Sequence, residues 1–414
     1  MPIREDVEHE ARAAGVAAVG LIDDAVTAAL TDAAALLHGR RGEVLAANAA
    51  DVEAAAGRLD EGTIDRLRLD EARMDALERQ LLATAALDPL ERVIGSRTLA
   101  NGLVVSERRI PIGVVGANFE ARPNVALDVA GQLLKSLNAT VLRTGSAALR
   151  TVTVLVDDVV RPALERAGLR PEAVGLVRHT DREGARVLVS MPGLVPLVIL
   201  RGSGPSTAEL VRLAAQNDVR TLAHAEGGGV LYVHTAADRD KALALAEASL
   251  DRLGVCNRLN LALVDRGAHE VLGALLELFA EKGLEVRGDV AGGEPLDRPI
   301  GYEWAGDPER VATVTVALVD GVEDALRIAN GETSGLAAGI VTDDSRAADR
   351  FLDGYRGTAA FWHAPTRFTD GFELTGSPET GINVDHVPGP RGPVTYRDLW
   401  LRQYRVVGDG SQTR

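Results

Sequence analysis

The sequence predicts an α/β protein with two lobes, each a parallel sheet covered by helices, preceded by a helical segment and carrying a small β arm. Three observations carry that prediction. β-prone and helical stretches alternate from Ile110 onward, and a second alternating series begins beyond the glycine-rich stretch 226–229. Outside both series, Asn101-Gly102 lies between two β-prone runs, the signal of a hairpin.

In chain order, residues 5–85 place apolar side chains at helical spacing, as at Val26, Ala29, Leu30, Ala33 and Leu37. Several helices are expected, broken near "GRRGE" and "RLDEGT". "RTLANGLVVSERRIP" (97–111) then reads as a two-residue hairpin with no core of its own, suited to pairing with another subunit. In the first series "IPIGVVGAN" is a strand and "PNVALDVAGQLLKSL" a helix opened by Pro123. "ATVLRT" is a strand, "ALRTVTVLVDDVVRPALERAG" a helix, and "AVGLV", "REGARVLVSM" and "PLVIL" continue as strand, helix and strand. The second series runs from "VLYVH" through "ADRDKALALAEASLDRLG", "LNLALV", "AHEVLGALLELFAEKG", "ATVTVALV", "GVEDALRIANG", "AAGIVT" and "SRAADRFLDGY" to "TAAFW". The tail "GPRGPVTYRDLWLRQYRVVG" is Pro/Gly-rich and then β-prone, a second segment suited to pairing between subunits.

Composition narrows the function classes. At 414 residues the chain exceeds one ordinary core. It has no apolar run of about 18 residues, so no membrane span is expected. The N-terminal stretch "MPIREDVEHEARAAG" is charged and lacks the apolar centre of a secretion signal. The formal net charge is −15 and no basic stripe follows a phosphate backbone, so nucleic acid is not an expected partner. One cysteine cannot form an internal disulfide, which fits a reducing cytoplasm. The histidines are scattered without compact metal-ligand spacing, and no metal is expected.

Several segments are placed to carry chemistry. Cys256, in "LGVCNRLN" (253–260), follows a predicted helix and precedes a strand. It reads either as a nucleophile at the edge of a cleft or as a small buried apolar side chain. "VILRGSGPSTAELV" (198–211) puts a glycine turn between strand and helix, where backbone N–H groups and the helix N-terminus can hold an anion. "VLRTGS" (141–146) offers a similar turn with Arg143, a side chain suited to phosphate. Two such turns at the carboxyl ends of parallel strands point to a nucleotide site. In "NFEARPNV" (118–125), Asn124 can donate to a developing oxyanion or simply cap the following helix. "PTRFTDG" (365–371) is a polar loop whose Arg367, Thr369 and Asp370 suit a carboxylate, phosphate or amine, or form an ordinary Asp-Gly turn.

Together the chain resembles the γ-glutamyl phosphate reductase (glutamate-5-semialdehyde dehydrogenase) family, a branch of the aldehyde dehydrogenase superfamily. The stretches that carry the resemblance are "EVLAANAADVEAA", "DRLRLDEARMDAL", "RIPIGVVGANFEARPNV", "NATVLRTGS", "ILRGSG", Cys256-Asn257, "TRFTDG" and "RGP" at 391–393, and they span essentially the whole chain. The resemblance implies an aldehyde dehydrogenase-like fold of two Rossmann-like α/β lobes plus a small β oligomerisation arm. It assigns residues 1–95 and 110–224 to a cofactor-binding domain, 225–390 to a catalytic domain, and 96–109 with 391–410 to the arm. It implies reduction of an acyl phosphate by NADP(H): Cys256 attacks the acyl carbon and expels phosphate, and hydride converts the thioester to the aldehyde. Asn124 and the Cys256 backbone N–H are the implied oxyanion donors. Arg143, Thr144, Gly145, Gly202, Ser203 and Gly204 fall on cofactor-binding positions. Arg122, Asn257, Arg258, Asn260, Arg367, Phe368, Thr369 and Asp370 fall on the substrate side. The implied partners are a small acyl phosphate or semialdehyde, a kinase supplying the acyl phosphate, and further copies of the chain as a homodimer or dimer of dimers.

The departures from the family pattern cluster near the cysteine. Arg258 stands where the family has a small residue, and Asn260 where it has an acidic one. His363 and Pro365 replace an Asn and a Ser, and "GSPE" ends at Glu379 in place of Gly-Ala-Glu. A guanidinium pointing inward at Arg258 would favour the thiolate and disfavour a substrate ammonium. Such changes are expected of a relative with a different acyl phosphate. Two other functions stay open: a phosphate-independent aldehyde dehydrogenase using Glu226 as base, and a non-catalytic binding protein.

Overall fold

The computed structural model describes residues 2–202, 204–224, 227–307, 309–385 and 389–412. They form two compact units, one of residues 1–223, 377–381 and 394–414, the other of 224–376 and 382–393.

In the first unit five helices come first: α1 (Ile3–Ala18), α2 (Asp23–Gly39), α3 (Arg41–Ala55), α4 (Glu61–Leu67) and α5 (Glu71–Ala85). The apolar stripe read from the sequence is the buried one, with Val26, Ala29, Leu30, Ala33 and Leu37 all in the core. Strands β1 (Val93–Thr98) and β2 (Val104–Pro111) form an antiparallel hairpin. Its loop is wider than a two-residue turn: Leu99 donates to Leu103, enclosing Ala100, Asn101 and Gly102, and Gly102 takes φ +85°. A third strand, Trp400–Val407, pairs antiparallel with β2 along its whole length. Leu401, Tyr404, Val406 and Val407 on that strand are exposed.

The main sheet of this unit follows. It contains β3 (Val114–Phe119), α6 (Asn124–Lys135), β4 (Ala139–Thr144), α7 (Leu149–Val154), a π-type turn over Leu155–Val160, α8 (Arg161–Arg166), β5 (Val174–Val177), α9 (Arg182–Leu188), β6 (Leu197–Arg201), α10 (Gly204–Gln216) and β7 (Arg220–His224). The strand order is β5-β4-β3-β6-β7, parallel across β5/β4, β4/β3 and β3/β6. Its near-continuous apolar strands are buried on both faces, as a helix-covered parallel sheet requires. Successive strands are added outward from β3 on one side and then from β6 on the other. The order reverses between β3 and β6, which opens a crevice at their carboxyl ends.

The second unit is also parallel. β8 (Gly229–Val233), α11 (Arg239–Ala248), β9 (Leu259–Asp265), α12 (His269–Glu281), β10 (Glu285–Arg287), β11 (Thr313–Val319), α13 (Val322–Gly331), β12 (Ala337–Val341), α14 (Ser345–Gly354) and β13 (Ala359–Trp362) give the order β10-β11-β9-β8-β12-β13. Two apolar layers flank it, one with Leu231, Val233, Ala262 and Val264, the other with Val230, Tyr232, Leu261 and Leu263. Beyond β13 a short helix, α15 (Gly371–Thr375), is capped by Asp370. Among the described residues no helix is long and apolar enough to cross a membrane.

Candidate active site

In the second unit the cysteine lies at the amino ends of the strands. β9 pairs with β8 from Gly229↔Leu259 onward, and Cys256 sits in the turn that enters β9. Its side chain is partly exposed and rests on Leu336, Ala337 and Ile382. The turn is clamped through its backbone. Gly228 N–H donates to the Cys256 carbonyl at 2.7 Å, Gly229 N–H to Arg258 at 2.7 Å, and Leu259 N–H to Ser249 at 2.7 Å. The glycines are there for closeness. A Cβ on Gly227 would lie 2.5 Å from Cys256 Cβ, and one on Gly229 would lie 2.3 Å from Thr366 Oγ1. Residues 227–229, within the stretch that the sequence suggests as a boundary between lobes, are three adjacent glycines, and that run is the sequence signal of this packing.

The other clamp is the loop after β13. Asn257 Nδ2 donates to the carbonyls of Arg367 (3.1 Å) and Thr369 (3.0 Å), while Thr366 Oγ1 donates to the Asn257 carbonyl at 2.8 Å. Arg367 donates from Nε to Asp251 at 2.6 Å and from Nη1 to Asn257 Oδ1. Its guanidinium therefore latches the cysteine turn rather than waiting open for an anion. Asn257 and Thr369 are buried, and Asp370 accepts from Phe372 N–H at the start of α15. Phe368 is the exposed member of the loop.

Arg258 and Asn260, expected on the substrate side, are buried and engaged within the fold. The Arg258 side chain is fully buried and donates to the carbonyls of Val311 (2.8 Å) and Thr313 where β11 begins. Burial lowers its pKa to about 10, opposed by the charge of Glu303, so it remains a cation near neutrality. Asn260 is the extra residue of a β-bulge, since Gly229 pairs with Leu259 and Val230 with Leu261. Its amide donates to Tyr302 (2.7 Å) and accepts from Trp304 N–H (2.9 Å). Arg258 thereby holds the start of β11, and Asn260 the 302–304 segment. That segment delivers Glu303, which the sequence did not single out and whose Oε2 accepts from Gly227 N–H at 2.8 Å. His363 packs at the other end of the strands: its ring contacts Thr342 N–H, and β12 runs from Ala337, beneath Cys256, toward Thr342. Glu226 lies outside the described residues.

In the first unit the predicted cofactor residues converge at the carboxyl ends of three adjacent strands. Phe119 pairs with Thr144 on one side and Arg201 on the other, so the ends of β4, β3 and β6 are level. Thr144 is buried, and its Oγ1 has no hydrogen-bond partner among the described residues. Gly145 opens on free space, whereas a Cβ on Gly202 would meet Thr207 Oγ1 at 3.3 Å and the Glu120 carboxyl at 3.4 Å. Helix α10 starts at Gly204, directing its N-terminal N–H groups to this edge. Ser203 lies outside the described residues. A diphosphate fits these features: an unengaged hydroxyl, a glycine cradle and a helix N-terminus at a topological switch point. Arg143 departs from its assignment. It is buried and donates to Asn118 Oδ1 (3.1 Å) and to the carbonyls of Thr180 (3.1 Å) and Asp181 (2.7 Å), fixing the start of α9. A ribose phosphate would have to displace those bonds.

Arg122 and Asn124 lie in the turn from β3 into α6. Ala121 takes φ +43°, an unusual value for a residue with a side chain, and Pro123 presets the helix start. Asn124 does not cap; it is the first helical residue, and its Nδ2 donates to Asp128 Oδ2 at 3.1 Å.

No family model matches the chain. Curated relatives do. γ-Glutamyl phosphate reductase of Clavibacter michiganensis is 40% identical over 396 residues, covering 92% of this chain and 89% of that one. The same-named protein of Zymomonas mobilis is 36% identical, covering 89% and 86%. Among solved structures, γ-glutamyl phosphate reductase of Thermotoga maritima superposes with TM-score 0.91 at 28% identity, covering 99% and 100%. An acetylating aldehyde dehydrogenase of Geobacillus thermoglucosidasius, at 15% identity and TM-score 0.70, shares the fold.

Proposed function

The chain belongs to the γ-glutamyl phosphate reductase family, and from that premise we propose that Cys256 is the nucleophile of an acyl-phosphate reduction. The activity is that of an oxidoreductase reducing γ-glutamyl phosphate to the semialdehyde, a step of proline biosynthesis. Relatives with this name do not favour water-dependent aldehyde oxidation or a non-catalytic binding role. A different acyl phosphate loses its main support as well, because Arg258 and Asn260 are engaged within the fold.

The observation that carries the mechanism is the posture of Cys256: partly exposed, on a turn clamped by Gly228, Gly229 and the 366–369 loop. Its thiolate attacks the γ-acyl carbon; the C–S bond forms, the C–O bond to phosphate breaks, and phosphate leaves with the electron pair and takes a proton. When bound, a nicotinamide would supply hydride to the thioester carbon; rupture of the C–S bond would then release the aldehyde and return the Cys256 thiolate. Thiolate attack and hydride addition both place negative charge on the carbonyl oxygen, for which Asn124 Nδ2 and the Cys256 N–H are the proposed donors. Phe368 is the proposed substrate-facing group of its loop; Asn257, Arg367 and Thr369 act by fixing the turn. The carboxyl-edge cradle of Thr144, Gly145, Gly202 and α10 is the proposed diphosphate seat.

NADP(H) as the particular cofactor is part of the proposal. So is self-association through the sheet of β1, β2 and Trp400–Val407, whose apolar side chains are exposed, to a homodimer or dimer of dimers. An acyl phosphate hydrolyses readily, so a kinase forming it nearby is the natural supplier, in a cytoplasm that keeps the lone thiol reduced. The test is reduction of NADP⁺ with glutamate-5-semialdehyde and phosphate. Turnover should need phosphate and vanish in Cys256→Ser; equal rates without phosphate, or an active serine variant, would refute the covalent mechanism.

A further inference from the structure

We propose that Asp128 is a positioning residue for the reaction, its carboxylate holding the Asn124 amide one helical turn away and fixing which atoms that amide presents. The inference rests on the reading of Asn124 as an oxyanion donor. The residues concerned lie in one unit. Ala121 and Pro123 fix the backbone on which Asn124 enters α6. The Asn124 side chain still has two orientations, presenting either its NH₂ or its carbonyl oxygen to a given partner. An ionised carboxylate only accepts, so Asp128 Oδ2, 3.1 Å from Nδ2, decides in favour of the NH₂ and leaves that group a second hydrogen.

A carboxylate is an expensive way to make a plain helix contact. Asp128 is screened from solvent at Oδ1, which among the described residues accepts no hydrogen bond. No ion pair compensates it among those residues. The one charged side chain that acts on it is Arg201 at the end of β6, whose Nη1 is engaged with the Thr380 carbonyl at 3.0 Å. A neutral side chain would fill the position at lower cost, so the carboxylate is retained for what it does to Asn124. Burial pushes its pKa up to about 7, against the opposing effects of Arg201 and Asn124. Below that pH the acid can donate, the Asn124 amide is no longer held one way round, and turnover should fall.

The sign for stability is opposite. A folded-state pKa raised above the unfolded value of 3.8 means that stability declines as pH rises from about 4 to about 7. Aspartate at this position thus favours activity at the expense of stability in the same range.

The test compares kcat and KM of wild type, N124A, D128N and the double variant from about pH 6 to pH 8.5, using glutamate-5-semialdehyde, phosphate and NADP⁺. N124A should lose roughly 100-fold in kcat. D128N should lose about 10- to 100-fold with KM for the semialdehyde within about twofold, as removal of an orienting partner does. The double variant should be no worse than N124A alone, and the acid limb near pH 7 should be altered in D128N. D128N should melt no lower than wild type at pH 8, and D128E should recover part of kcat. If D128N melts lower, D128S serves in its place. Wild-type kcat in D128N beside an impaired N124A would overturn the positioning role alone. So would equal losses from D128N in both backgrounds, or a raised KM at unchanged kcat, which marks direct substrate contact. Wild-type kcat in N124A would instead remove the oxyanion reading itself.

Discussion

The two units are both helix-covered parallel sheets, yet they put their functional groups at opposite ends of the strands. In the first, Thr144, Gly145, Gly202 and the start of α10 gather at the carboxyl ends. In the second, Cys256 enters at the amino ends of β8, β9 and β12. The difference follows from where helices begin and end. A carboxyl edge is where the next helix starts, offering unpaired N–H groups to an anion. An amino edge is where the preceding helix has finished, and a turn there can present a side chain without a helix dipole behind it. In the proposed mechanism the first edge holds the charged diphosphate and the second presents the nucleophile.

That contrast predicts graded outcomes. Cys256→Ser should abolish phosphate-dependent turnover, by about a thousandfold or more in kcat, with the fold intact by circular dichroism. Gly227→Ala forces a Cβ to within 2.5 Å of Cys256 Cβ, so the cysteine must move. A loss of roughly 100-fold in kcat is expected, with KM for the cofactor nearly unchanged. Gly202→Ala, at the other edge, meets only contacts of 3.3–3.4 Å. It should raise KM for the cofactor about 5- to 10-fold and spare kcat, as expected for a change that weakens binding uniformly. If Gly202→Ala lowers kcat and Gly227→Ala raises only the cofactor KM, the division between the edges is wrong. Smallest in activity should be Arg258→Met, which leaves the Val311 and Thr313 carbonyls without their donor. It should cost about 2–4 kcal/mol in denaturant unfolding, with semialdehyde KM within about twofold.

The alternation from Ile110 onward made both sheets readable, because buried parallel strands are near-continuous apolar runs. The short β10 and the segment β7 were not readable, since neither differs much from its flanks. In the site, Cys256 and Asn257 could be found by motif, but the direction of Arg258 and Asn260 could not. Both faces of β9 are buried, so alternation does not say which side is which, and the bulge at Asn260 resets the count. Arg367 shows the same limit. Its residue type suits an anion, and only the spatial arrangement shows Asp251 and Asn257 already engaging it. Asp128 left no motif at all; an aspartate four residues into an apolar helix becomes informative once its surroundings are known.

The pairing of Trp400–Val407 with β2 has a bearing on how the chain is made. Asn138 donates to the Leu399 carbonyl across 261 residues of sequence, and Tyr396 donates to Asp88 across 308. During synthesis β2 and α6 leave the ribosome long before these partners exist. The first unit must therefore wait, with an open β edge, while the whole second unit is translated. The interval exposes a pairing-competent strand to neighbouring nascent chains, so expression yield should respond to translation speed and chaperone supply more sharply than the stability of the finished enzyme suggests.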